Sequence, residues 1–297
     1  MTAPAPHRSG FVALAGRPNV GKSTLLNRLL GTKVAITASV PQTTRTVVRG
    51  IVTRPEAQIV LLDTPGIHAP RHRLGEFMVE GARRVLGEVD VVAWMVDAGG
   101  VRAEDRVVAE MLRPLRVPVV LVVNKVDGAA ARQVEAVARE AQALLPVAGT
   151  YRISAQTGLG VDALGAGLIA RLPEGPRYYP EEMLTDQPEQ FLIREFIREQ
   201  AIHHTRQEVP HAVAVEIEEF SERPDGTVYI RATVHVEKPS QKKIMIGRGG
   251  QKLRAIGAAA RPGAETLLGR KVFLDLWVAV TPDWREKPAL IRGFYPE

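Results

Sequence analysis

The stretch Gly16-Arg17-Pro18-Asn19-Val20-Gly21-Lys22-Ser23 fits the pattern GxxxxGK[ST]. It follows the apolar run Phe11–Ala15 and opens the helical candidate Lys22–Leu30, which is the strand–loop–helix context of a phosphate cradle. Glycines let the backbone amides of such a loop curl around a β-phosphate where a side chain would block approach. Lys22 is placed to reach β and γ oxygens, and the Ser23 hydroxyl to meet Mg²⁺.

Outward from this loop, strand-like and helix-like segments alternate. The apolar runs Ile59–Leu62, Val91–Val96, Val119–Val123 and Tyr151–Ile153 are separated by helical candidates Leu74–Leu86, Arg102–Leu112, Ala129–Leu145 and Val161–Leu172. Several runs are apolar at consecutive positions, as parallel strands covered on both faces require. The rhythm predicts an α/β P-loop domain, doubly wound with a mostly parallel sheet, over residues 1–173.

Strand ends carry the remaining nucleotide signals. Asp63-Thr64-Pro65-Gly66 follows Ile59–Leu62, where a carboxylate can hold Mg²⁺ through water and the Gly66 amide can meet a γ-phosphate. Asn124-Lys125-Val126-Asp127 follows Val119–Val123, and its last residue selects the base. The Asp127 carboxylate can accept from N1–H and the 2-amino group of guanine, whereas adenine would leave it unpaired. Lys125 can lie along the base, Asn124 can tie loops together, and Ser154-Ala155-Gln156 can present the Ala155 amide to guanine O6. Alone, Asp-Thr-Pro-Gly is an ordinary turn and Asn-Lys-Val-Asp a polar strand end; their order behind the phosphate loop argues against both.

The rhythm breaks at Leu172-Pro173-Glu174-Gly175-Pro176, and residues 174–188 read as a linker. Beyond it, residues 189–281 predict an α+β module: a helix Glu189–Thr205, strands Ala212–Glu219 and Thr227–Glu237 joined at Asp225-Gly226, two helices flanking Gly247–Gly250, and a strand Lys271–Val280. Residues 282–297 read as a C-terminal tail. The GxxG turn Gly247-Arg248-Gly249-Gly250, after Ile246 and before Gln251-Lys252-Leu253, exposes amides at a helix N-terminus with no Cβ in the way. Lys242, Lys243, Arg248, Lys252 and Arg254 supply charge for a sugar-phosphate chain. That is the KH arrangement, in which the loop clamps about four nucleotides of a single strand. A lone Gly-Arg-Gly-Gly would be a helix-capping loop; the flanking strands and the charge argue against it.

Bulk properties agree. From Lys238 to Arg292 there are twelve Lys and Arg against four Asp and Glu, a surplus larger than the +6 of the whole 297-residue chain. A basic stretch on a near-neutral remainder points to a polyanion partner for that stretch. The absence of cysteine excludes disulfides and thiolate metal sites and fits a reducing cytoplasm. Residues 1–10 lack the apolar core of a signal peptide, and no apolar run is long enough to span a bilayer. His203-His204, being adjacent, cannot share a helix face as ligands. Trp94 reads as core, while Trp277 and Trp284 could stack on bases or pack.

The nucleotide motifs together resemble a translation-factor-class GTPase. Asn19 in the phosphate loop and Gln42-Thr43-Thr44-Arg45 narrow the resemblance to the Era-like family. So do Leu172–Asp186, the Phe191–Glu199 helix, Glu208-Val209-Pro210-His211, Ile246–Gly250 and Asp283-Trp284-Arg285. The resemblance implies that Gln42–Thr46, including Arg45, is the first switch loop and that one threonine closes on Mg²⁺, Thr44 being favoured over Thr43. It implies Lys22, Thr44 and Gly66 as the catalytic set, Ser23, Thr44 and Asp63 as metal ligands, and a type II KH order. Ile67 stands where Ras-type GTPases carry a water-orienting glutamine, so intrinsic hydrolysis should be slow. Asn19 resembles the potassium-coordinating asparagine of related GTPases, which adds K⁺ to Mg²⁺ as a cofactor.

The function the family implies is a GTP-hydrolysing switch that binds 16S ribosomal RNA near its 3′ end and assists 30S subunit assembly. The chain would act in the cytoplasm as a monomer, with peripheral association with the inner membrane. Two other readings are a membrane-associated signalling GTPase, which leaves the GxxG without a role, and a metabolic P-loop kinase, which the guanine-reading motif disfavours.

Overall fold

The computed structural model describes residues 6–38, 40, 42–70, 72–207 and 209–296. Residues 1–5 and Glu208, the latter among the residues that carry the family resemblance, lie outside the described set. The chain forms two compact units, one from residues 1–35, 44–71 and 75–186, the other from 36–43, 72–74 and 187–297.

In order, the first half contains β1 (Arg8–Ala15), α1 (Lys22–Leu30), β2 (Val48–Arg54), β3 (Ala57–Asp63), α2 (Arg73–Leu86), β4 (Val91–Asp97), α3 (Ala103–Leu112), β5 (Val119–Asn124), α4 (Ala131–Leu144), β6 (Gly149–Arg152) and α5 (Val161–Ile169). The sheet runs β2-β3-β1-β4-β5-β6, parallel except for the antiparallel pair β2–β3. β3, β4 and β5 are buried at every position, which explains their unbroken apolar runs. The strand order reverses around β1, and in such sheets ligands bind outside the carboxyl ends of the strands at the reversal. β2 is absent from the sequence-based rhythm because Gly50 and Arg49 interrupt its apolar pattern. Gly50 is needed there, since a Cβ would come within 2.7 Å of Leu26 and 2.8 Å of Leu30 in α1.

The prolines and glycine after Leu172 suggest a free linker, but residues 174–186 are tied to the first unit. Glu174 bridges to Arg8, and Tyr178 stacks on Phe11 with ring centroids 5.4 Å apart. Gln58 accepts both the Tyr178 and Tyr179 amides, at 2.7 and 3.0 Å, on one oxygen. The Ile51 amide donates to Leu184 O at 2.8 Å, and Arg49 pairs with Asp186 at 2.5 Å.

The second half carries α6 (Glu189–His203), β7 (Ala214–Glu222), β8 (Val228–Val236), α7 (Pro239–Ile246), α8 (Gln251–Leu268), β9 (Val272–Val280) and α9 (Pro288–Phe294). β7 and β8 are antiparallel, and β9 runs parallel to β8 after the crossover through α7 and α8. Gly226 (φ 80°) turns the β7–β8 hairpin, with the Thr227 amide held by Asp225 at 2.9 Å. Gly263 lets α8 approach α6, because a Cβ there would lie 3.2 Å from the Phe196 ring.

Residues 284–294 of the C-terminal tail pack on the second unit. Trp284 is fully buried, its indole N–H donating to Ala212 O at 2.9 Å and its ring meeting Phe294 of α9 edge-on at 5.4 Å. Trp284 is thus core, whereas Trp277 on β9 is 60% exposed. The seven residues of α9 are too few to show a helical period against the surrounding Pro and Gly.

Candidate nucleotide site and nucleic-acid interface

The phosphate loop leaves β1 at Gly16 and enters α1 through Gly21, whose φ of 99° strains any side-chain-bearing residue. A Cβ on Gly21 would also lie 2.3 Å from the Asn124 amide. Lys22 is buried and donates to Gly16 O (3.1 Å) and Arg17 O (3.0 Å). Burial, opposed by the charge of Asp63, lowers its ammonium to about 8. Pro18 packs under the Asp-Thr-Pro-Gly turn so closely that a Cβ on Gly66 would lie 2.7 Å from its Cα. Val20 is buried, and the Asn124 amide donates to its carbonyl at 2.8 Å.

Three oxygen-bearing side chains distant in sequence converge beside the loop. Ser23 Oγ donates to Asp63 Oδ2 at 2.6 Å and lies 2.9 Å from Thr44 Oγ1, which is itself 3.3 Å from Asp63 Oδ2. Asp63 Oδ1 is buried and has no hydrogen-bonding partner. Burial pushes the Asp63 carboxyl up to about 6, against the lowering effect of Lys22 and the two hydroxyls. A serine, a threonine and a carboxylate with a bare oxygen are the hard donor set that suits Mg²⁺. Thr43 stands apart from this cluster, its hydroxyl donating to Val40 O at 2.7 Å. Gln42 and Thr43 group with the second unit, whereas Thr44, the buried Arg45 and Thr46 group with the first.

Thr64 is buried, its hydroxyl held by Leu14 O at 2.8 Å; Pro65 and Gly66 are buried too. Ile67 is fully buried and its amide donates to Gly16 O at 3.1 Å, so the side chain in the glutamine position belongs to the core.

The base-reading loop gathers at the end of β5. Lys125 adopts φ 64° and donates to Asn19 O at 2.6 Å; Val126 and the exposed Asp127 form one 3-10 turn behind it. The Ala155 amide, expected to face a base oxygen, donates to Asn124 Oδ1 at 2.9 Å, so Asn124 bridges the phosphate loop to the 154–156 loop. Ser154 Oγ receives the Thr157 amide at 3.1 Å, and Gln156 is exposed. Arg28 of α1 clamps this loop by donating to Ala155 O at 3.1 Å and to Gln156 O. Sequence reasoning passes over Arg28, since an arginine on a helix has no motif.

Arg17, read as part of the nucleotide set, turns its guanidinium onto carboxylates: Nε reaches Asp105 at 3.1 Å and Nη2 reaches Asp97 at 2.5 Å. Asp97 and Asp105 were not legible as partners, being 80 and 88 residues away.

In the second unit the GxxG turn joins α7 to α8. Gly247 (φ 71°, ψ 176°) ends α7, and a Cβ there would lie 2.7 Å from Lys252 Cβ. Gly249 (φ 56°) and Gly250 (φ 77°) face open space. Lys243, Arg248 and Arg254 are exposed around the turn, with Lys242, Ile246 and Lys252 half-buried at its base. Arg254 donates to Gly249 O at 2.6 Å and braces the turn from α8. His203 and His204 bond to Thr37 O and Gln200 O, and among the described residues no acidic or histidine cluster could hold a metal.

Two family models match the chain, one described as a 50S ribosome-binding GTPase over residues 11–125 and one as a KH domain over residues 208–285. Fold and site thus define a P-loop GTPase carrying a KH domain. The chain is 48% identical to the GTPase Era of Carboxydothermus hydrogenoformans across 97% of both proteins. It is similar to an Era solved with MgGDPNP and nucleotides 1506–1542 of 16S ribosomal RNA, and to an Aquifex aeolicus Era variant bound to GDP and AlF4⁻. Each match has 42% identity and a TM-score of 0.94, over 97% of this chain and 99% of the other. The chain belongs to the Era family of GTPases.

Proposed function

We propose that the chain is a Mg²⁺-dependent GTPase switch that binds the 3′ end of 16S ribosomal RNA through its KH domain and assists maturation of the 30S subunit. The observation that carries this reading is the end-to-end match to an Era in complex with MgGDPNP and 16S nucleotides, joined to a GxxG turn whose last two glycines face open space.

The residues divide the work. Backbone amides of residues 19–23 surround the phosphates, Pro18 having no N–H to offer, and Lys22 neutralises charge on the β and γ oxygens. Ser23, Thr44 and Asp63 would hold Mg²⁺, which supplies charge stabilisation to the β- and γ-phosphate oxygens. The Gly66 amide meets the γ-phosphate, and Asp127 reads guanine. With Ile67 in the core, no side chain at that position orients water, so turnover depends on charge supplied elsewhere. Asn19 is the residue through which K⁺ would supply it. No helix among the described residues is long and apolar enough to cross a membrane; the basic KH surface supports at most peripheral contact with anionic lipid.

Crosslinking RNA from a cell extract to the protein, loaded with GDPNP or GDP, tests the reading. Enrichment of the 16S 3′ end is expected with GDPNP. Retention on anionic vesicles without RNA enrichment would favour the membrane-associated reading instead.

A further inference from the structure

Arg17 stands inside the phosphate loop, yet its charge is committed elsewhere. Nε donates to Asp105 Oδ2 at 3.1 Å, Nη2 to Asp97 Oδ2 at 2.5 Å and Nη1 to Pro18 O at 3.3 Å. Asp105 lies in the first turn of α3, is fully buried, and also receives the Arg102 amide at 2.9 Å. Asp97 ends β4 and receives the Gly99 amide at 2.9 Å. The Lys125 ammonium lies 3.5 Å from the same Asp97 oxygen that holds Arg17, and donates to Asn19 O at 2.6 Å. One chain of charges therefore runs from α3 through the phosphate loop and β4 to the base-reading motif, and back to the loop.

We propose that Asp97 and Asp105 are positioning residues for guanine-nucleotide binding: through Arg17 they lock the phosphate loop, and through Lys125 Asp97 joins that lock to the base-reading motif. The proposal rests on residues 16–23 and 124–127 being the nucleotide site.

The loop needs such a lock. Asn19 (φ 63°) holds left-handed backbone, which in a residue with a side chain persists only where the surroundings over-determine it. A planar guanidinium gripped by two carboxylates is fixed in direction as well as position, which a lysine could not achieve. Burial keeps solvent from screening the two Arg17 pairs, whereas Lys125 is half-exposed. At Asp97 burial raises the carboxyl, but Arg17, the Gly99 amide and Lys125 outweigh it and hold it below the usual range. The cation therefore keeps an ionised partner.

What the lock positions is common to GDP and GTP. Loosening it should weaken ground state and transition state alike, raising KM while leaving kcat in place. Asp105→Asn is the decisive variant: its amide oxygen can still receive the Arg102 amide, but the charge facing Arg17 is gone. Arg17→Lys keeps the positive charge and loses the fork. Release of mant-GDP and mant-GDPNP, measured by stopped flow, should accelerate about tenfold in either variant. In Asp105→Asn the KM for GTP should rise by a similar factor, with kcat within about twofold of the unmodified protein.

Thermal unfolding of the same samples separates positioning from simple stability. A lowered unfolding temperature with unchanged release overturns the proposal, as does release within about twofold of the unmodified protein. If Asp105→Asn does not fold, Arg17→Lys decides alone. Failure of the unmodified protein to bind mant-GDP would overturn the nucleotide site itself, a different result.

Discussion

Ser23 Oγ donates to Asp63 Oδ2 at 2.6 Å, joining the start of α1 to the end of β3. With Thr44 Oγ1 2.9 Å from the serine, three hard oxygen donors sit beside the phosphate loop. Ser23→Ala should leave GDP bound by the loop amides and lower GTP turnover by roughly 100-fold, the scale of losing one preorganised charge-stabilising group. Turnover titrated against Mg²⁺ checks this. An unchanged Mg²⁺ midpoint would remove Ser23 from the metal site.

Asp127 is exposed at the end of the base-reading loop, free of the buried pairs around it. Asp127→Asn should shift preference from guanosine toward xanthosine nucleotides, because the amide NH₂ can face the added carbonyl of xanthine. Competition between GTP and XTP gives the answer, and an unaltered preference for GTP would end the base-reading role.

Trp284 lies outside the boundary that motif reading assigns to the KH domain, yet it is fully buried on Ala212 and Phe294. Trp284→Ala should destabilise the second unit by about 3–5 kcal/mol, as for large-to-small substitutions in a core. Denaturant unfolding of the full chain checks this; a shift under about 1 kcal/mol would return residues 282–297 to the status of a tail.

These examples show what was legible. The phosphate loop, Asp63 and the Asn124–Asp127 motif could be placed because each follows a buried apolar strand, whose pattern locates the loop at its end. The GxxG turn was legible because flanking strands and basic residues set it apart from an ordinary helix-capping loop. The Arg17–Asp97–Asp105 cluster was not, since pairing across 80 residues leaves no periodic trace. β2 and α9 escaped for a related reason: a short element beside Gly or Pro takes its stability from tertiary packing. The anchored 174–186 segment reads as a linker because proline marks a break in regular structure without saying whether the chain beyond is bound.

Asn19 leads to a cation prediction. Ile67 cannot polarise water, so charge building on the β/γ bridge needs another source. If an Asn19-centred oxygen cage holds K⁺, turnover in potassium buffer should exceed that in sodium buffer, and Asn19→Ala should abolish the difference while GTP still binds. Equal rates in the two buffers, with RNA present and absent, would remove K⁺ from the mechanism.

The central claim, an RNA-binding KH unit on a GTPase, comes down to the turn at Gly249. Its φ is 56° and a Cβ there would meet nothing, so Gly249→Asp adds strain and a negative charge where phosphate would lie without disturbing a packed neighbour. The measurement is anisotropy of a labelled oligonucleotide from the 16S 3′ end, titrated with GDPNP-loaded protein. The account predicts binding by the unmodified chain and at least about 100-fold weaker binding by Gly249→Asp, with mant-GDPNP affinity the same in both. Equal RNA affinity in the two proteins would contradict it.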